Sequence, residues 1–358
     1  MSSSHQECAR PDWSDDYLDS PSPPEIKVPY FDHKLGAWVL SRYADVLAAF
    51  RNPLLIPTGA KALSKKKAPD EAARLKMRAE TKTALSLRQL HKWQKVLAPE
   101  AAALTESLPV GEPVDLVAEL ARPLCLSLAV AATKTDLEDA SRLQGLAKDV
   151  SAAAAEPYDA KIGSAAEAAG AQLHSCFHSG PESLRDSGFV ALSQTLTCLL
   201  ANAWFALLAH PQQWRRLHQQ PALVTQAVEE LLRYAGLTRL LFRRAAEDVP
   251  LNGVRIRKGD RVILRIAAAN KDPERFSRPK ELDWAHQGKG HLALGAGLHT
   301  CVGASLIRMA AVTITRPLVE RFAWVEIAGT VDWQGGAVFR SPATLPACLY
   351  ERIPPILG

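Results

Sequence analysis

The sequence has few of the features that staple a fold together or announce a nucleotide cofactor. Its 358 residues include only six cysteines, at positions 8, 125, 176, 198, 301 and 348. They form no CxxC pair and no Cys/His set with zinc-ligand spacing. A disulfide scaffold is therefore not expected, and a reducing cytoplasm is the expected compartment. No GxGxxG follows a strand pattern, so the chain carries no flavin or nicotinamide fingerprint. Charge of one sign is also scarce: 43 basic and 38 acidic residues are spread along the chain for a net +5, which does not describe a nucleic-acid surface. The one concentrated basic run, Lys61 to Lys67, reads as a solvated loop. The first 20 residues, MSSSHQECARPDWSDDYLDS, lack the apolar core of a signal peptide, and neither export nor a membrane anchor is expected. A 47 % hydrophobic and 23 % charged composition fits a soluble globular chain long enough for a large core.

The chain changes character along its length. Residues 1–25, rich in Ser, Asp and Pro, read as a disordered tail. Residues 29–40 read as a hairpin turning near Leu35 and Gly36, followed by a helix with Ser41 as its N-cap. From about 70 to 210 the pattern is helical, with interruptions near Pro109–Pro113, Pro157 and Gly180-Pro181. Residues 189–209 (FVALSQTLTCLLANAWFALLA) are apolar nearly all round, as in a helix buried on most sides. Polar interruptions argue against a membrane span. Ala191, Thr195, Cys198 and Asn202 share one face of it, a small, polar-flecked stripe. Residues 221–235 form a further helix, opened by Pro221. Alternation and the Asn252-Gly253 and Gly259-Asp260 turns then predict strands over 249–270. A helix is predicted over 303–316, ended or kinked by Pro317, and short strands over 323–351.

Two places carry chemistry. Glu230 and Arg233 lie three apart on one helix face; exposed, such a pair contributes a few tenths of a kcal/mol. Buried, it needs a further partner, for which Arg275 in DPERFSRP is a candidate. The stretch GAGLHTCVGA (295–304) sets Cys301 just before the helix beginning near Gly303. Free cysteine is most often a buried structural residue. Here, however, unsatisfied N–H groups and the helix dipole favour a thiolate. Gly295, Gly297 and Gly303 permit positive φ and close approach of a flat ligand. A thiolate so held suits the axial position of haem iron.

EELLR at 229–233, DPERF at 272–276 and LGAGLHTCVG at 294–303, in that order, make the sequence resemble the cytochrome P-450 family, in particular its soluble bacterial branch, from about residue 28 to the C-terminus. The resemblance implies a mainly α fold with small β-sheets (α+β), in one catalytic domain over 26–358. Haem b would lie between a distal helix and a proximal cysteine loop. Cys301 matches the axial ligand to the iron. Gly295, Gly303 and Leu294 match its loop. His299 and Arg243 match residues that bond the haem propionates, and Lys76 stands where a further propionate partner is expected. Glu230, Arg233 and Arg275 match a structural ion-pair group. Residues 189–209 match the distal helix, with Thr195 and Gln194 at its catalytic positions. Ala191, Leu192, Leu237, Thr238 and Leu241 are the expected substrate contacts, which makes the pocket mostly apolar.

The chain departs from the family pattern in several places. Ala191-Leu192-Ser193-Gln194-Thr195 stands where the family carries Ala/Gly-Gly-x-Asp/Glu-Thr. Thr195 is kept, but Leu192 replaces glycine and Gln194 replaces the acid, and an amide has no proton to exchange in the working pH range. Leu294 replaces an aromatic residue, and the region 145–187 looks trimmed. The expected activity is monooxygenation of a small, largely apolar substrate with O2, in secondary metabolism, by a monomer. The absence of a flavin or nicotinamide motif implies a separate ferredoxin and ferredoxin reductase as electron donors, docking on Lys76, Arg78, Lys82, Arg88 and Lys92. The alternatives are an atypical oxidation (desaturation, cyclisation or C–C coupling), or a non-catalytic haem-binding sensor.

Overall fold

In the computed structural model, described over residues 29–58, 71–177, 184–284 and 290–354, small sheets flank a body of helices. The predicted tail (1–25) and the basic run (61–67) lie outside the described residues. The N-terminal strands β1 (Tyr30–Asp32) and β2 (Ala37–Leu40) pair as the predicted hairpin. Helix α1 (Tyr43–Arg51) follows, and β3 spans Leu55–Pro57. The N-cap of α1 is Arg42 rather than Ser41; its side chain does not cap the helix, and the Tyr43 N–H donates to Asp272 Oδ2 at 2.7 Å. Instead Arg42 forks onto Asp45 of the first turn at 2.8 and 3.0 Å, an acidic residue suited to the positive end of the dipole.

The helical stretch comprises α2 (Glu71–Ala84), α3 (Leu87–Ser107), α4 (Arg122–Thr133), α5 (Leu137–Ala155) and α6 (Ala160–Ser175). The short strand β4 (Pro113–Asp115) falls between α3 and α4. On α3, Leu90, Trp93, Leu97 and Ala101 form one buried stripe, the period of a helix with one face on a core. The break at Pro157 separates α5 from α6, and Asp159 caps α6 by accepting from Lys161 and Ile162 N–H at 2.9 and 3.0 Å.

Helix α7 (Asp186–Leu208) is long and apolar enough to cross a membrane, but it is a core helix. Phe189, Leu200, Ala201, Trp204 and Leu207 are fully buried, and the Trp204 indole donates to Thr315 Oγ1 at 3.1 Å. Its small stripe has a structural use further along: Asn202 Nδ2 donates to Arg340 O at 2.9 Å and Gln334 Nε2 to Cys198 Sγ at 3.7 Å, so a hairpin packs there. After α8 (Pro211–Gln219), Pro221 opens a short 3-10 turn that leads into α9 (Val224–Ala235).

Strands β5 (Leu240–Ala245), β6 (Val249–Leu251), β7 (Val254–Ile256) and β8 (Arg261–Arg265) come next. Asn252 and Gly253, at φ +43° and +87°, make the tight β6–β7 turn that this dipeptide favours. The main sheet runs β1-β2-β8-β5-β3, with only β2 and β8 parallel. Helix α10 spans Ala304–Arg321. It runs past Pro317, against the sequence expectation. Ile314, Leu318, Val319 and Phe322 on either side are fully buried, and that packing offsets the lost backbone bond. The last strands are β9 (Trp324–Ile327), β10 (Trp333–Gly335), β11 (Arg340–Pro342) and β12 (Pro346–Tyr350). They form a β10–β11 hairpin and a β4-β12-β9 sheet.

Candidate active site

Cys301 lies in the connection between a 3-10 turn (Gly297–His299) and α10. Its N–H donates to Leu294 O at 2.7 Å, and its own carbonyl accepts from Ala304 N at 3.2 Å, so the loop closes on the sulfur. Gly295 is obligatory here: its φ is +70°, and a Cβ would stand 2.5 Å from His299 O. Gly297 is likewise left-handed, at +60°. Gly303 is not; it is the N-cap of α10 at φ −84°, and a Cβ there would meet Cys301 Sγ at an ordinary contact distance of 3.8 Å. Burial pushes the Cys301 thiol up from its ordinary range. The Gly303 N–H and the charges of Arg78 and Arg308 pull the other way. The protein as it stands thus holds a thiol, poised among positive groups that favour the anion once a cation takes the proton's place.

Below this loop lies the ion pair. Glu230 and Arg233 are both fully buried, joined by bonds of 2.6 and 2.8 Å. Arg233 also donates to the carbonyls of Asn270, Pro279 and Glu281 at 2.8–3.0 Å. Arg275 connects to the pair through an aromatic ring: Phe276 lies 5.3 Å from the Arg233 guanidinium and 5.2 Å from that of Arg275, a cation–π arrangement. A neighbouring network was not foreseen. Arg308 on α10 forks onto Glu229, and His291 Nε2 lies 3.5 Å from the same carboxylate. Burial raises the Glu229 pKa, but the bonds from His291 and Arg308 and their charges outweigh it and bring it down to about 2.

The expected propionate residues come from three different elements. Arg243 is buried on β5, its guanidinium 5.6 Å from the Phe50 ring. His299 is half-buried in the 3-10 turn. Lys76 is exposed. The side chain of α2 that reaches the loop is instead Arg78, which donates to Thr300 O at 2.5 Å. The sequence signal for it was present two residues on from Lys76, in the same basic helix.

On the other side of α7 is a cavity of about 230 Å³. Gln194, Thr195 and Leu237, all expected contacts, line it. Leu192 does not; it packs into the main core at 5 % exposure, so it does not fill the space in front of Thr195. Leu241 packs with the second core cluster, and Thr238 bridges to Phe339. Ala191 is exposed. Residues 191–195 form a π-helical turn in which Leu196 N–H reaches back to Ala191 O, an irregularity common at functional sites. Gln194 Nε2 donates to Gln144 O at 3.3 Å, tying α7 to α5. The sequence reading missed the opposite walls: Lys148 and Ser151 from α5, Glu156 just after it, and Gln334, Phe339 and Ser341 from the hairpin.

Comparison with known proteins bears on the family and the fold. The cytochrome P450 family model matches residues 210–334. Nocardicin C N-oxygenase of Nocardia uniformis subsp. tsuyamanensis is 28 % identical over 366 residues, covering 90 % of this chain and 91 % of that protein. The LnmA cytochrome P450 hydroxylase from the leinamycin biosynthetic pathway of Streptomyces atroolivaceus superposes with a TM-score of 0.73 at 28 % identity, over 87 % of this chain and 90 % of its own.

These matches support the cytochrome P450 family for this chain. Cytochrome P450 CYP107DY1 of Priestia megaterium is 42 % identical over 135 residues, 38 % of this chain, and the match spans only about a third (33 %) of that relative's length. A P450 carries haem iron, and the residues present fit it. Among the described residues no group of three or more His, Cys, Asp or Glu side chains is placed to hold a metal ion. A metal at Cys301 must therefore bring its remaining ligands with it, as porphyrin iron does.

Proposed function

We propose that this protein is a haem–thiolate monooxygenase that uses O2 and electrons from a separate ferredoxin system to oxidise a small molecule in bacterial biosynthesis. The observation that carries the reading is the pairing of two sites. A single thiol sits in a glycine-shaped loop braced by Arg78, Arg308 and the Gly303 N–H. A threonine at the end of a π-turn lines a cavity. When bound, haem b would supply the oxygen activation, which thiolate ligation by Cys301 would favour.

The chain's own groups have definable tasks. Cys301 ligates the iron, and Leu294, 8 % exposed, keeps water from the sulfur. Arg78, Arg243 and His299 hold the ring carboxylates through charge-assisted bonds. The Thr195 hydroxyl holds a water on the cavity side and passes its proton. Gln194 fixes α7 against α5 through its amide and carries no proton of its own. Exposed Lys82, Arg88 and Lys92, with Lys76, form the face for the electron donor.

The amide at position 194 also favours a second outcome, in which the oxidation ends in desaturation, ring closure or C–C coupling. Product analysis under labelled O2 tests the choice. Labelled oxygen in the product supports hydroxylation, and oxidised product without label supports the second outcome. No product with a surrogate ferredoxin system or with peroxide, despite bound haem, contradicts both and leaves a haem-binding sensor.

A further inference from the structure

We propose that Glu229 is a positioning residue for the proximal thiolate: it holds the Arg308 guanidinium beside the cysteine loop, offsets part of its charge, and so sets how strongly Cys301 donates to bound iron. This rests on the reading of Cys301 as the axial ligand and adds to it a residue that acts through Arg308. Glu229 lies on α9 and Arg308 on α10. Long side chains on a helix lean toward its N-terminus, and Arg308 does so. Its Nη1 lies 3.5 Å from Ala304 O, and the Ala304 N–H bonds the Cys301 carbonyl at 3.2 Å. The guanidinium is thus folded back toward the sulfur, where its charge is felt.

Glu229 fixes that pose. Its carboxylate accepts from Nε and Nη2 of Arg308, the second at 3.0 Å, a fork that sets the guanidinium plane. The same carboxylate faces the other flank of the loop. His291 is buried, and the Ala293 N–H donates to its Nδ1 at 3.3 Å. That backbone donor puts the ring proton on Nε2, which lies 3.5 Å from Glu229 Oε2. One carboxylate therefore meets residues on both sides of Cys301. The two cations near the sulfur differ in their partners. Among the described residues Arg78 meets only a neutral carbonyl, that of Thr300. Arg308 meets an ionised carboxylate, held at about 2 against burial by His291 and Arg308. A cation near the sulfur favours the electron-richer, reduced iron, and an anion on that cation takes part of the effect back.

The test uses the haem-loaded native protein, Glu229→Gln, Arg308→Met, the double variant and Arg308→Lys. Midpoint potentials are read by spectroelectrochemistry, fold by circular dichroism, and ligation by the reduced carbon-monoxide spectrum. The Arg308 side chain is 40 % exposed, so solvent and salt keep the effect modest. The expected size is about threefold in the ratio of reduced to oxidised iron at a fixed potential, or about 28 mV at about 59 mV per decade for one electron. Glu229→Gln, which keeps the shape and removes the charge, should raise the midpoint by that amount. Arg308→Met, which leaves the carboxylate without its cation, should lower it. The double variant should return toward the native value, and Arg308→Lys, which keeps the charge, should stay near it. Single variants that move the midpoint in the same direction, or by less than about 1.5-fold in that ratio, overturn the proposal. Should Arg308→Met fail to fold, Glu229→Gln decides alone: an unchanged or lowered midpoint overturns the proposal. A native carbon-monoxide complex without the red-shifted band removes the ligation reading and the proposal with it. A band kept in every variant with unmoved midpoints overturns the proposal alone.

Discussion

Replacing Arg233 with methionine tests how the proximal side is held together. The guanidinium makes five hydrogen bonds, two to Glu230 and three to the carbonyls of Asn270, Pro279 and Glu281. Both partners of the pair have side chains with 0 % exposure, so water cannot take over. Methionine fills much of the volume but takes two charge-assisted bonds from a buried carboxylate, which keeps the Asp283 N–H at 3.2 Å, and removes the guanidinium from three carbonyls. Breaking a buried pair from one side costs about 3–5 kcal/mol, a large share of a typical 5–15 kcal/mol of stability. Urea unfolding followed by far-ultraviolet circular dichroism should show that loss. Arg233→Lys keeps the charge but offers three donors to five acceptors, and should lose less, about 2 kcal/mol. The damage should extend to haem retention, because Asn270, one of the bridged residues, also accepts from Leu292 N–H at 2.7 Å through its side chain, at the start of the cysteine loop. A loss below about 1 kcal/mol for Arg233→Met, with haem content unchanged, would refute this reasoning.

Gly295→Ala forces a side chain into a left-handed position against His299 O; it should cost about 1–3 kcal/mol and lower haem occupancy, read from the ratio of Soret to protein absorbance. Arg78→Ala should weaken haem retention about tenfold in a transfer assay to an apo-globin acceptor, while Lys76→Ala, at an exposed site, should change it by less than about twofold. The bonds and charges of Arg308 and His291 outweigh burial and hold the folded Glu229 carboxyl at about 2, below its ordinary 4.5. Its contribution, on the order of 3 kcal/mol at most, is therefore complete above about pH 5 and disappears as pH falls toward 2. The stability gap between the native protein and Glu229→Gln should accordingly shrink between pH 7 and pH 3; a gap constant over that range would contradict the assignment.

The proximal half was legible because its chemistry is local in sequence. Cys301, Gly295 and Gly297 carry their roles within a few residues, and Glu230 and Arg233 share one helix turn. Buried helix α7 also showed in its all-round apolarity. What could not be read depends on long-range packing. Lys148 and Glu156 reach the cavity only because α5 lies across α7, a contact between residues some 40 positions apart. Nothing in their helix pattern separates them from solvated charges. Gly336 likewise reads as a turn residue until Glu156 is seen lying over it. Arg78 and Lys76 sit in one basic helix, and only the position of Thr300 decides between them. Pro317 argued for a helix end on local grounds, and the buried residues around it prevailed.

The central claim is that Cys301 ligates haem iron as a thiolate, and the spectrum of the reduced carbon-monoxide complex tests it most directly. The native protein should show the red-shifted Soret band of thiolate ligation, and Cys301→Ser should lose it. An unshifted band in the haem-loaded native protein would contradict the account.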